Sequence, residues 1–182
     1  MKRRWHILLA ALAAASCKLS NRNTSLDVTK VIIGKLDGTL CKYDPSADEF
    51  DFANINPAAN SGGTMGVVVH NQLADTASLN ALLRTTSGTF HPHQMVGDYE
   101  IVGGATTRGV IVPVSGAQVA PGTSGSILVP FFSPAVTTTM SGTIRVTFHV
   151  EGKLDDGSVV QTSEHEYIFV TCATAGCNSP CM

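Results

Sequence analysis

The stretch "GTIRVTFHVEG", residues 142–152, decides the fold. Polar and apolar residues alternate through it without a break, as in a β-strand with one buried face. The apolar members are Ile144, Val146, Phe148 and Val150. A turn signal follows at Asp155–Ser158, and a second strand-like segment then ends at Cys172. Residues 142–172 are therefore predicted to form an antiparallel β-hairpin.

Similar short segments precede this hairpin, separated by turn signals about every eight to twelve residues. They begin at Ser25, Thr39, Thr64, His93, Thr107 and Ser124. Regular spacing of this kind predicts an all-β fold, an antiparallel β-sandwich of about seven to nine strands over residues 26–172. At most one short helix is expected, over residues 73–85, with a strand over residues 81–86 as the alternative reading of that stretch.

Strand count, spacing and turn chemistry over residues 26–172 resemble the immunoglobulin-like and fibronectin type III-like sandwiches of bacterial surface proteins. The single tryptophan, Trp5, lies near the N-terminus, so the core tryptophan of antibody-type domains is absent. The resemblance implies a fold and leaves the activity open, because one fold supports many functions.

The N-terminus has the pattern of an export signal. Lys2, Arg3 and Arg4 precede an apolar run over residues 7–15, which is too short to span a membrane and typical of a signal peptide. Residues 14–17, Ala-Ala-Ser-Cys, resemble the lipobox of bacterial lipoproteins. That resemblance implies a signal peptide over residues 1–16, lipidation of Cys17, a polar tether over residues 17–25, and a lipid-anchored place in the bacterial cell envelope. The sequence Ala13-Ala14-Ala15 allows the alternative of ordinary cleavage, which would give a secreted or periplasmic protein.

The chain contains five cysteines, an odd number that an exported protein must account for. If Cys17 carries lipid, four remain, and these can form two disulfides outside the cytoplasm. They are Cys41, Cys172, Cys177 and Cys181, the last two within a cysteine-rich tail over residues 173–182. Three pairings are possible. We prefer Cys41–Cys172 with Cys177–Cys181, because the strand that ends at Cys172 could lie beside the one that carries Cys41.

The composition excludes some classes of protein. Hydrophobic residues make up 43% of the chain and charged residues 14%, which is enough apolar material for a packed core. The net charge of −2 would become −5 once the three cations of residues 1–16 are removed. An acidic chain without a basic cluster lacks the positively charged patch that nucleic-acid-binding proteins use.

Residues 121–129, "PGTSGSILV", resemble the nucleophile loop of chymotrypsin-like serine proteases. The resemblance would make Ser124 the nucleophile, with His70 as base and Asp98 as the orienting acid. The match covers few residues, and a tight Gly/Ser loop between two strands explains the same letters.

Two further clusters could bind metal ions. His91 and His93, two residues apart, would point the same way in an extended segment and could hold zinc or copper, with His70, His149 or His165 as a third ligand. A second cluster could supply oxygen ligands to calcium, although its spacing does not match an EF-hand. It consists of Asp44, Asp48, Glu49 and Asp51. We prefer simpler readings: an exposed loop for the two histidines, because Pro92 denies the backbone a ladder donor, and ordinary turn chemistry for the acidic cluster.

The sequence thus predicts a non-catalytic, exported and lipid-anchored surface protein. Its β-sandwich would have a structural role or bind a protein or glycan partner, and no cofactor is expected. A secreted serine hydrolase using Ser124 and a metal- or calcium-binding module are the alternatives.

Overall fold

The computed structural model describes residues 25–37, 40–49, 52–55, 64–73, 88–132 and 142–171. These residues form twelve strands and no helix. The strands are β1 (Leu26–Ile32), β2 (Lys35–Asp37), β3 (Leu40–Lys42), β4 (Phe52–Ile55), β5 (Thr64–Asn71), β6 (Phe90–Ile101), β7 (Thr106–Pro113), β8 (Ser115–Gly116), β9 (Ser124–Pro130), β10 (Thr143–Leu154), β11 (Val159–Gln161) and β12 (His165–Thr171). The helix predicted over residues 73–85 lies almost wholly outside the described residues.

Two sheets pack face to face. The smaller has the strand order β1-β5-β9-β8, and the larger has the order β4-β12-β10-β6-β7, with β11 also paired to β10. Strands β2 and β3 form a separate hairpin. The predicted all-β sandwich is therefore confirmed. Its two sheet paths have four and five strands, nine together, within the predicted range of seven to nine.

One pairing departs from the predicted antiparallel pattern. Strand β4 runs parallel to β12, with Phe52 opposite Ile168. No strand was predicted at residues 52–55, because the carboxylate-rich sequence before them suggested a loop. Parallel neighbours cannot be joined by a tight turn, so this pairing has no local turn signal in the sequence.

The predicted hairpin is confirmed, with one refinement. Strand β10 turns at Asp155–Ser158 into β11, and β12 then continues along the same edge of β10. The register shifts by one residue between β11 and β12. Thr162 fills this irregularity, where its buried Oγ1 accepts a hydrogen bond from the N–H of Val150 at 3.0 Å.

The inner faces of the two sheets share one apolar core. All four apolar residues of the alternating stretch in β10 are at most 1% exposed. Phe131, just after β9, packs edge-on against Phe148 of β10 and contacts Phe169 of β12, with ring centroids 5.0 and 5.2 Å away. The Tyr99 hydroxyl donates to the carbonyl of Phe131 at 2.7 Å, and burial raises the pKa of this tyrosine. A buried phenol needs such a partner.

Hydrogen bonds link the two sheets at opposite edges. Ser163, between β11 and β12, donates its N–H to Leu26 of β1, and its hydroxyl accepts from Val28. At the other edge, Phe90 and Val119 exchange two backbone hydrogen bonds. The fully buried Asn71 fixes this second corner, since its side-chain amide donates to the carbonyls of Gly88 and Val119.

Part of the outer face of the smaller sheet is also buried. Ile32 and Val68 are at most 1% exposed, although they lie outside the main core. The Tyr43 ring packs close to Gly66 here, and its hydroxyl donates to the carbonyl of Thr64 at 3.1 Å. The segment after β3 therefore covers one end of this sheet, and His70 and Ser124 lie at the other end.

Candidate functional site

Within the described residues, two places on the sandwich surface bring chemically capable side chains together. The first is a row across three strands of the smaller sheet, formed by Asp27 of β1, His70 of β5 and Ser124 of β9. His70 Nδ1 lies 3.0 Å from Ser124 Oγ. Asn71 donates its backbone N–H to Thr123, so the next pair, His70 and Ser124, is of the non-hydrogen-bonded kind, in which side chains lie closest.

The sequence-based triad is only partly assembled. His70 and Ser124 are neighbours, as the serine hydrolase reading requires, but Asp98 lies on the other sheet and accepts a hydrogen bond from the N–H of Gly109 at 2.8 Å. The acid closest to His70 in register is instead Asp27. Its carboxylate accepts from Gln72 at 2.8 Å, and no ion pair joins it to His70.

Two features of the surroundings of this pair concern its access to solvent and the N–H groups near Ser124. The hydrogen bond between His70 and Ser124 is exposed to solvent. Gly125, which follows Ser124, pairs with Val69 in the β5–β9 ladder, so its N–H is committed to the sheet. A stabilised oxyanion needs preorganised donors in a site that excludes water.

The second place is a pocket of about 410 Å³ where β6, β10 and β11 meet. It opens at the end of the larger sheet, beside the turn that joins β10 to β11. The lining residues are His91, Pro92, His93, Gln94, Glu151, Gly152, Lys153 and Val159. The two histidines singled out in the sequence therefore lie in this pocket.

A glycine shapes the pocket. The register of β6 and β10 shifts between Glu151 and Gly152, so the two backbones approach closely at this point. A Cβ atom on Gly152 would lie 2.2 Å from the carbonyl oxygen of His91 and 2.6 Å from the Phe90 ring. Only glycine permits this approach, which places Pro92 directly opposite Gly152.

The carboxylates around the pocket already have partners. Glu151 accepts a hydrogen bond from the Gln94 amide at 2.7 Å, and its other oxygen lies 3.3 Å from His149 Nε2. His91 Nε2 lies 2.5 Å from Asp155 Oδ1, and the second oxygen of Asp155 accepts the N–H of Thr89 at 3.2 Å. These contacts fix the planar groups of the pocket in place.

The structure does not gather the predicted metal ligands into a site among the described residues. Among the described residues, no cluster of three or more His, Cys, Asp or Glu side chains could hold a metal ion. In the acidic segment, Asp44 accepts hydrogen bonds from Ser46 within a turn, and Glu49 lies 3.6 Å from His165 Nε2. Asp51 lies outside the described residues.

His165 sits at the margin of the core, where its ring contacts Phe148 edge-on. Burial lowers the pKa of His165, while the nearby carboxylate of Glu49 acts in the opposite direction. This pairing is not visible in the sequence, because 116 positions separate two residues that only the tertiary fold brings together.

The cysteines are only partly described. Cys41 is disulfide-bonded, while Cys17, Cys172, Cys177 and Cys181 lie outside the described residues, so the pairing stays a prediction. The reason given for preferring Cys172 is wrong. Strand β3, which carries Cys41, pairs with β2, whereas β12 pairs with β4 and β10.

Sequence reasoning missed most of the pocket. Gln94, Glu151 and Lys153 belong to ordinary strand patterns, and only the pairing of β6 with β10 brings them to His91 and His93.

No family model, curated protein or solved structure matches this chain. In the described part of the chain, no helix has the length and apolar character needed to cross a membrane.

Proposed function

We propose that this chain is a non-catalytic binding protein of the bacterial cell envelope, held at a membrane by lipid on Cys17. The support for the anchor comes from the sequence: three cations, a short apolar run, and small residues before a cysteine. An acylated N-terminus followed by a polar tether would present the β-sandwich to its surroundings.

The observation that carries the binding role is the pocket between β6, β10 and β11. Ligand sites are concave, and a small number of polar groups converge on them. The pocket of about 410 Å³ brings imidazole, amide, carboxylate and ammonium groups to one opening. The core between the two sheets consists of apolar side chains, whereas this opening offers a ligand directional partners.

A fragment screen of the mature protein by backbone amide NMR tests this role. We expect binding fragments to shift the amides of residues 91, 93, 94, 151–153 and 159. The variant His93→Ala, at an exposed position, should weaken these shifts, and Lys42→Ala, on the distant β3, should leave them unchanged. Fragments that bind only at other surfaces would contradict the proposed pocket.

Ester or amide hydrolysis at Ser124 is a second candidate, which the 3.0 Å contact between Ser124 Oγ and His70 Nδ1 favours. A histidine within hydrogen-bond reach can take the proton from a serine as it attacks a carbonyl carbon. The solvent-exposed position of the pair weighs against it, as does the fact that, among the described residues, no acid forms an ion pair with His70.

A fluorophosphonate probe separates the two candidates. A hydrolase should be labelled at Ser124, with labelling abolished in Ser124→Ala and strongly reduced in His70→Ala. A binding protein should give no labelling above that of Ser124→Ala. Covalent labelling at Ser124 that depends on His70 would contradict the non-catalytic assignment.

A further inference from the structure

The pocket between β6, β10 and β11 presents hydrogen-bond donors and acceptors side by side. The Gln94 amide and the Glu151 carboxylate are held together by their 2.7 Å hydrogen bond. An amide so placed still offers its oxygen as an acceptor and a second N–H as a donor. Lys153, two positions after Glu151 on β10, adds further N–H donors. His93 can donate or accept a hydrogen bond.

The formal charges of the pocket do not favour an anion. Lys153 is the cation among the lining residues, and Glu151 offsets it. Asp155, beside the pocket on His91, adds a further carboxylate. An anionic ligand would need uncompensated cations, whereas a hydroxyl group, which both donates and accepts, suits this mixed set of partners.

The pocket also has an apolar wall. Pro92 and Val159 both line it, and Val159 is 75% exposed, more than the other exposed large hydrophobic side chains of the described residues. An apolar side chain beside fixed polar groups suits a ligand that has both hydroxyl groups and C–H faces. Sugar rings have this combination.

We infer that this pocket binds a neutral saccharide, with hydroxyl groups bonded to Gln94, Glu151 and His93 and a ring face against Val159. This rests on the proposed binding function and names its ligand class. The volume of about 410 Å³ lies toward the lower end of the range for small-ligand sites, roughly 300–1,000 Å³, which suits a short saccharide or the end of a longer glycan.

Saturation-transfer NMR on the full mature protein tests the inference with four probes: glucose, N-acetylglucosamine, glucuronate and inorganic phosphate. We expect at least one neutral sugar to bind and, in backbone amide spectra of the protein, to shift the amides of residues 91, 93, 94 and 151–153. His93→Ala and Val159→Ser should each weaken binding at least tenfold. Lys42→Ala, at an exposed site on β3 away from the pocket, should bind as the unaltered protein does.

The outcomes separate the inference from the function on which it rests. If fragments shift the pocket amides but neither neutral sugar binds, the saccharide inference is overturned and the binding function stands. If phosphate or glucuronate binds more tightly than both neutral sugars, the pocket is an anion site and the inference is also overturned. If neither fragments nor sugars move the pocket amides, both proposals fail.

Discussion

At the scale of single residues, Gly152 determines how closely β6 and β10 approach. Gly152→Ala would place a methyl group 2.2 Å from the His91 carbonyl oxygen. Because this oxygen belongs to the backbone, it cannot move aside as the end of a flexible side chain can. We expect a loss of about 3 kcal/mol or more in the free energy of unfolding, at the upper end of overpacking costs. Chemical denaturation measures it.

The matched control is Gly88→Ala. The nearest atom to a Cβ at Gly88 is 3.4 Å away, an ordinary contact, and its backbone is not in the left-handed region. Its free energy of unfolding should change by less than about 1 kcal/mol. Equal losses in the two variants would show that close backbone approach at Gly152 is not the cause.

His165 makes stability depend on pH. Burial lowers the pKa of His165 below its ordinary value of 6.5, and Glu49 at 3.6 Å only partly offsets this. As pH falls below 6.5, the unfolded chain takes up a proton that the folded protein resists, so stability is lost. The free energy of unfolding should fall between about pH 7.5 and about pH 5.5, and by less in His165→Gln. An equal fall in both proteins would contradict this role.

At the scale of elements, β10 has one buried and one outer face. Phe148→Asp would remove a core ring and bury a carboxylate, which together cost more than the roughly 3–5 kcal/mol of losing the ring alone. Because total stability is about 5–15 kcal/mol, we expect this variant to be largely unfolded by circular dichroism.

Thr147→Asp, one residue earlier, tests the opposite face. Thr147 lies across from Asp98 on β6 and Glu166 on β12, so a new carboxylate there meets two like charges. Each such pair costs about 0.2–1 kcal/mol, and the variant should remain folded. If both variants unfolded alike, the assignment of inner and outer faces would be wrong.

The sequence predicts elements well where the pattern is local. Alternation in β10 and the turn at Asp155–Ser158 are visible in neighbouring letters, and both are confirmed. Strand β4 was missed because a parallel partner leaves no local turn signal. The contact of His70 with Ser124 depends on the register of β5 and β9. The sequence could therefore suggest these two residues, but it could not show that Asp98 is the wrong acid to accompany them.

At the scale of the whole molecule, the two sheets close around one core through contacts that span most of the chain. Ser163 bonds to β1 and Val119 to Phe90, and neither contact follows from spacing in the sequence. The pocket comes from strand pairing within the larger sheet, because it needs β6, β10 and β11 side by side. Composition and periodicity predicted the sandwich. The pocket could not be predicted in this way, because it depends on the pairing register of its strands.

The proposal that this sandwich is exported and held at a membrane through Cys17 predicts a defined mass for the mature protein. Intact-mass analysis of the protein from a bacterial host measures it. We expect a chain that begins at Cys17, carries acyl chains on that residue, and has lost four hydrogens through two disulfides. Two or more acyl chains give stable anchoring, since each buried CH₂ contributes about 0.8 kcal/mol. A soluble protein that retains residues 1–16, or begins at an unmodified Cys17, would contradict the claim.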